Sequence, residues 1–490
     1  MRGWDERNGG LTHAPKFPMP SNYSYLLQHG ILSRNERTLS FVHTTLEKMA
    51  LGGIYDFVHG GFTRYATDRF WKVPHFEKML YDNAQLIGLY AKAYRNHSTP
   101  LYAQTIADTV SWLQKEMRLD NGLYAAAVDA DSTTPENSRE EGGYYTWRIE
   151  ELEGMGLPDF DAFQWYFDIT EHSAWEGKYI LHRTQPIENL AERLNTDVAT
   201  ARELLLQWQQ LLTRAAADRL STHPKPLRDP KSLTCWNALL VRGFAEAHRA
   251  LPENGYDQAT TNLLEALINS VWQNGEIAHQ YLNREAEGEG FLDDYSSFGQ
   301  ALLEGFLLTG NSIYFDHAQE IAKSIERIFP FEGAFRVYTP SFEAAWQKQL
   351  EIEDNVIPSA NSMWAHFFQY LGVIADQNDW KEQASLALRA VHSKVFRYGP
   401  NFSNWLELGL MRAYGAKELV ITGSGAKAAA EELQRAHYQP GTLVLFSESA
   451  AELAHFKGRV GHTLTYYLCS NNTCQLPTTD LNELLKLWKA

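Results

Sequence analysis

Apolar residues recur three and four positions apart along most of this chain, the spacing that lays one apolar stripe along a helix. The strongest early stretches are 36–50, 76–95 and 101–117. The pattern returns at 188–218, 233–248, 256–271, 294–308, 312–326, 359–373 and 380–396, with shorter helices predicted at 21–31, 148–153, 159–166 and 402–414. The breaks between helices are of two kinds. Residues 95–100 and 309–311 are short polar turns, whereas 52–75, 120–145, 275–294 and 331–359 are long and rich in glycine, aromatic and acidic residues, with strand character in FRVY and GYYTW. This pattern predicts antiparallel helix pairs with compact turns at one end and elaborated loops, where function gathers, at the other. Six such pairs closed into an (α/α)6 barrel satisfy it. An open solenoid is the alternative, but no fixed sequence period supports one. The pattern changes near residue 415. ELVIT at 418–422, GTLVLF at 441–446 and residues 464–469 read as strands, while 425–437, AELAHF and 481–488 read as helices. The expected fold is therefore mainly α, with a barrel over 1–415 and a small α/β appendage over 416–490.

Charge and composition narrow the partners. The 490 residues carry 44 Lys and Arg against 60 Asp and Glu, a formal charge of -16, which argues against nucleic acid and anionic membranes as partners. No stretch approaches a membrane span or a signal core, so a soluble, cytoplasmic protein is expected. Of three cysteines, Cys235 stands alone, and Cys469 and Cys474 fit neither a CxxC redox spacing nor a zinc site. Reduced cysteines, no metal and no cofactor are expected. The Gly423-Ser424-Gly425 turn lacks a complete phosphate-binding fingerprint and reads as a strand-to-helix turn.

Candidate chemistry concentrates in Gly52–Asn83, where eight aromatics, two histidines, four acidic residues and four glycines share 32 positions. Such a segment suits the wall of a pocket holding a sugar ring. PHFEKMLYDN is expected to open a helix with Pro74 in its first turn, placing His75 as a base near the positive end, with Glu77 and Asp82 as carboxylates. Arg64 and Tyr65 are placed to bind a hydroxyl-rich or acidic substrate. Asp129 and Asp131 would share one face of a strand and form a carboxylate pair, or else structure a turn. Tyr145 in EEGGYYTW would complete that wall. Asp294 in FLDDY is a candidate catalytic carboxylate, with helix capping as the simpler role. Trp236 offers a stacking face, and Asn237 and Asn361 can hold hydroxyls. The loops carrying Arg64, Asp129, Asp294 and Asn361 are expected to converge around the end of the helix at 75–90. Neither GxSxG nor HExxH occurs, so serine and metallohydrolase readings are not favoured.

Together these segments resemble the spermatogenesis-associated protein 20 family, also called DUF255 or YyaL-like. The marks are GGLTHAPKFP at 9–18, GGIYDFVHGGFTRYATD at 52–68, WKVPHFEKMLYDNAQL at 71–86, VDADS at 128–132, EEGGYYTW at 140–147, DPKSLTCWNALL at 229–240, FLDDY at 291–295, IPSANS at 357–362 and CSNNTCQLP at 469–477. They span nearly the whole chain. Phe57 and Thr63 stand where the family commonly has histidine, and Cys235 where it usually has serine. The resemblance implies a six-hairpin glycosidase-like, N-acylglucosamine 2-epimerase-like fold, whose enzymes include glycoside hydrolases and sugar epimerases. It also implies pocket positions at His75, Glu77, Asp82, Asp129, Asp131, Trp236, Asn237, Asp294 and Asn361. Family members usually carry an N-terminal thioredoxin-like domain. The chain is expected to lack it, which makes such a domain an expected partner. The expected function is acid/base chemistry on a carbohydrate or related polyhydroxylated molecule. A non-catalytic carbohydrate-binding or protein-interaction scaffold is the alternative.

Overall fold

Local capping sets the helix boundaries. Asn35, Thr99, Asn311 and Ser359 each accept a main-chain N–H from the first turn of the helix that follows, which satisfies one of its unpaired donors. The computed structural model describes residues 3–133, 138–273, 275–340, 349–449, 453–459, 461–470 and 473–489. The first four helices are α1 (Pro20–Ser33), α2 (Glu36–Leu51), α3 (Leu80–Asn96) and α4 (Pro100–Trp112). Four more, α5 (Ile149–Gly154), α6 (Phe160–Tyr166), α7 (Ile187–Arg193) and α8 (Val198–Asp218), lie within one long connection. The array resumes with α9 (Thr234–Ala250), α10 (Tyr256–Val271), α11 (Leu292–Thr309), α12 (Ser312–Ile328), α13 (Ala360–Ile374), α14 (Asn378–Tyr398) and α15 (Ser403–Tyr414).

Six of these helices pack as a closed ring. Helix α1 meets α3, α3 meets α9, and α9 meets α11; α11 meets α13, α13 meets α15, and α15 returns to α1. Helices α2, α4, α10, α12 and α14 pack outside it, giving an (α/α)6 toroid. The ring closes tightly where α3 and α9 cross: a Cβ on Gly243 would lie 2.4 Å from the Ala84 carbonyl oxygen, so only glycine fits there. Every inner helix begins at the same end of the toroid. Turns from inner to outer helices are short, while the connections leading into α3, α9, α11 and α13 are long and carry small β-ladders. This is the asymmetry that the two kinds of break predict.

Several predicted boundaries change. The helix expected from residue 76 begins at Leu80. Pro74–His75 instead pairs antiparallel with Tyr65–Ala66, and Lys78–Met79 with Ala127–Val128, which also pairs with Arg228–Asp229. Ladder partners from distant loops satisfy this backbone, and helical periodicity carries no trace of them. The stretch 188–218 is two helices, because Asp197 caps α8 by accepting from Thr200. Helices α5–α8 bury a separate core around Trp147, Phe163, Phe167 and Trp208.

From Lys417 the chain builds a four-stranded sheet. Lys417–Thr422 lies parallel to Thr442–Ser447 and antiparallel to Thr465–Ser470, which pairs in turn with Thr473–Cys474. Helices α16 (Ala426–Ala436) and α17 (Leu481–Lys489) bury this sheet's own apolar cluster, including Leu433, Leu484 and Trp488. Of the predicted AELAHF helix, Ala451 and Glu452 lie outside the described residues, and Ala454–Phe456 form one 3-10 turn. Cys469 and Cys474 form a disulfide, contrary to the expectation of reduced thiols. Pairing of the strands that carry them sets the two cysteines opposite each other, which their linear spacing does not reveal.

Candidate functional site

The inner-helix N-termini and their β-ladders form the toroid mouth. At the start of α3, Asp82 is 1% exposed, and its Oδ2 has no hydrogen-bond partner among the described residues. Burial drives its carboxyl well above the usual range; the Arg64 charge opposes this and Glu77 adds to it. Arg64 donates to Glu77 at 3.2 Å and lies beside Tyr81. The Tyr81 ring meets Trp236 edge-on, with centroids 4.7 Å apart. Arg64, Glu77, Tyr81, Asp82 and Trp236 therefore form one cluster: a buried carboxyl, a guanidinium–carboxylate pair and a half-buried indole. His75 lies in the adjoining ladder opposite Tyr65, their rings stacked at 4.8 Å, and its Nδ1 is buried without a partner among the described residues. The segment from His75 to Glu77 is extended rather than helical, so neither residue feels a helix terminus as the sequence predicts.

A second group starts at α11. Asp294 is fully buried; it accepts from the Cys235 N–H at 3.0 Å and the Phe291 N–H at 3.0 Å, and meets His279 Nδ1 at 2.8 Å. The Asp294 hydrogen bond raises the His279 pKa, while burial raises that of Asp294 itself. Burial also raises Asp293 strongly, and the neighbouring Asp294 and Glu351 add to the shift. Because Cys235 precedes Trp236, the Asp294 clamp holds the start of α9 and hence the Trp236 indole at the mouth.

The two asparagines expected to hold substrate are committed to the backbone. Asn237 Oδ1 accepts from the Tyr124 N–H at 2.8 Å, and its Nδ2 donates to the Tyr124 and Leu233 carbonyls. Asn361 does the same with Arg336 and Glu351. Asn83 matches them on α3, gripping Phe62 and Met79. Each fastens a loop to the first turn of an inner helix.

Asp129 and Asp131 lie on either side of a bend rather than along one strand, and both pair with Arg139, at 2.8 Å and 3.0 Å, in a solvated hairpin. The two carboxylates share this one guanidinium. The Lys78–Val128 ladder does bring the loops together, with Glu77 and Asp129 as its next facing positions. Tyr145 turns away from the mouth: it stacks on Phe76 and covers the Lys78 ammonium at 4.9 Å.

No protein-family model matches the chain. Human spermatogenesis-associated protein 20 is 28% identical over 534 aligned positions, covering 99% of this chain and 67% of that protein; the mouse protein gives the same identity and coverage. The chain is thus similar to spermatogenesis-associated protein 20 over nearly its whole length. Among solved structures, the cellobiose 2-epimerase from Spirochaeta thermophila DSM 6192 is similar with a TM-score of 0.50 over 80% of each chain at 12% identity. That likeness is one of fold. Among the described residues, no group of three or more His, Cys, Asp or Glu could hold a metal ion, and no helix is long and apolar enough to cross a membrane.

Sequence reasoning missed Tyr81, His279 and Glu351 as mouth residues. Tyr81 precedes Asp82 in a motif already singled out. His279 lies on a strand of mixed pattern whose pairing with Asp294 needs the fold.

Proposed function

We propose that the mouth binds a carbohydrate or related polyhydroxylated molecule and acts on it by acid/base chemistry of the glycoside hydrolase or sugar epimerase type. The observation that carries this reading is the buried Asp82 carboxyl, whose Oδ2 has no hydrogen-bond partner among the described residues, beside the Arg64–Glu77 pair and the Trp236 indole. A carboxyl whose pKa is raised by burial is suited to donate a proton, and a general acid contributes roughly 10²–10⁴-fold to rate. Trp236 and Tyr81 supply stacking surface, and Arg64 and Glu77 supply donors and acceptors for hydroxyls. The (α/α)6 likeness to a cellobiose 2-epimerase supports the same substrate class by analogy of fold. His75, with an unengaged ring nitrogen, is the candidate base. The test is incubation of the full chain with neutral, amino and acidic sugars, with anomeric NMR detection of products. Inverted or retained hydrolysis products identify a hydrolase, and a changed C2 configuration identifies an epimerase. Absence of both binding and turnover across the panel refutes the reading. Saturable binding without product converts it to a binding scaffold, which the commitment of Asn237 and Asn361 to backbone bonds favours.

A further inference from the structure

Lys78 is 0% exposed, and nothing in the mouth uses it. Its ammonium donates to Asp56 Oδ2 at 2.8 Å and to the Gly60 carbonyl at 2.8 Å, and lies over the Trp112 and Tyr145 rings at 4.8 and 4.9 Å. Asp56 Oδ2 also meets His59 Nδ1 at 3.1 Å, and His59 Nε2 meets the Tyr144 hydroxyl at 3.0 Å. A chain of four side chains, Lys78–Asp56–His59–Tyr144, thus runs from the interior to the wall of a cavity of 280 Å³. That volume lies near the lower end for small-molecule sites.

A buried ion pair gains little stability over apolar residues of the same volume, so its contribution is better sought in what it orients. Burial opposes ionisation of Asp56, but Lys78 and His59 outweigh it and hold the carboxyl well below the usual range. An ionised Asp56 fixes Nδ1–H of His59 as donor, which leaves Nε2 to accept from Tyr144. With its proton so engaged, the Tyr144 oxygen is left as an acceptor at the cavity wall. Trp112 and Tyr145 also line the cavity. Helix α4 loosens into a π turn over Leu113–Met117 next to Trp112, a distortion common at functional sites. Gly61, at φ +82°, lets the Trp112 ring approach to 2.6 Å from where a Cβ would be.

The rim is basic. Arg228 is exposed and spends one nitrogen on the Glu116 and Arg118 carbonyls, at 3.0 and 3.4 Å. Among the described residues it pairs with no carboxylate, whereas Lys225 is held by Glu116 at 2.8 Å. The cavity is also set apart from the mouth. Lys78, Val128 and Arg228 occupy directly paired positions of one ladder, so their side chains share a face. Glu77, the neighbouring position, turns to the opposite face.

We propose that this cavity is a second small-molecule site for a hydroxylated ring bearing an anionic group, of sugar-phosphate type, with Tyr144 receiving a ring hydroxyl and Arg228 the anion. The site stands independently of the mouth chemistry. The test is calorimetric titration of the full chain with glucose 6-phosphate, glucose and inorganic phosphate. Saturable binding of glucose 6-phosphate is expected, tighter than either fragment. Tyr144→Phe, which removes one oxygen, should weaken it about tenfold, as should Arg228→Gln. Asp82→Asn should leave this affinity unchanged while altering the mouth, which separates the two readings. The proposal is overturned by absent binding, by inorganic phosphate binding as tightly as the sugar phosphate, by indifference to Tyr144→Phe and Arg228→Gln in folded protein, or by loss of binding in Asp82→Asn.

Discussion

Replacing Asp294 by alanine separates a structural clamp from a catalytic carboxylate. The side chain is fully buried and satisfies two main-chain donors, Cys235 and Phe291, along with His279. Alanine leaves both N–H groups buried and unpaired, at roughly 1–3 kcal/mol each. Removing one partner of a buried charge pair costs roughly 3–5 kcal/mol, and the two counts overlap because they describe the same carboxylate. We therefore expect a loss of roughly 3–5 kcal/mol, read as a fall in the urea midpoint followed by tryptophan fluorescence. Asp294→Asn should recover part of it, since the amide oxygen still serves one N–H. His279→Ala should cost less, because the imidazole is 32% exposed while the carboxylate is 0% exposed. The His279 pKa is raised in the folded state, so the pair's stabilisation is full below the unfolded histidine value and fades as pH rises through the folded one. The deficit of Asp294→Ala should shrink correspondingly in alkali. An Asp294→Ala protein with an unchanged midpoint but no turnover would refute this reasoning and place Asp294 in the chemistry.

Three further outcomes follow from the same geometry. Asn237→Ala orphans the Tyr124 N–H and carbonyl and should cost roughly 2–4 kcal/mol by urea unfolding, whereas a surface asparagine should cost under 0.5 kcal/mol by the usual range. Asp354, buried against Ser359, Ser362 and Asn404, has its pKa pushed up by burial to about 6; protonation stabilises the fold, so its contribution of about 3 kcal/mol is full below about pH 4 and lost as pH rises through about 6, a slope that Asp354→Asn should remove from a pH–stability curve. Gly61→Ala forces a side chain into a left-handed conformation against Trp112 and should lower the thermal midpoint by the equivalent of about 2 kcal/mol or more.

Helix pairing was legible because each inner and outer helix keeps an apolar stripe long enough to show its period. The two kinds of break likewise announced which end carries the elaborated loops. What escaped the sequence was set by contacts across long separations. Two-residue ladders such as Lys78–Met79 with Ala127–Val128 have no period to detect, so a helix was expected through Glu77. The aspartates at 129 and 131 lie on either side of a bend rather than along one strand, and their shared partner Arg139 is brought to them by a hairpin. Asn237 and Asn361 were visible as polar residues at helix starts, yet composition cannot distinguish an amide that grips the backbone from one that faces a ligand. Lys78 lay inside a motif singled out for its other residues, and only its burial beside Asp56 reveals it.

The most direct measurement of the central claim is turnover by Asp82→Asn. Asparagine keeps the volume and removes the ionisable carboxyl whose pKa burial raises. With a substrate found by the sugar panel, NMR product formation should fall about 10²-fold or more in Asp82→Asn. Asp129→Asn, in its solvated pair with Arg139, should stay within a few-fold of wild type. Turnover also should decline as pH rises through the elevated Asp82 pKa, as the acid loses its proton. Undiminished turnover in Asp82→Asn, with a pH profile unchanged from wild type, would contradict the account.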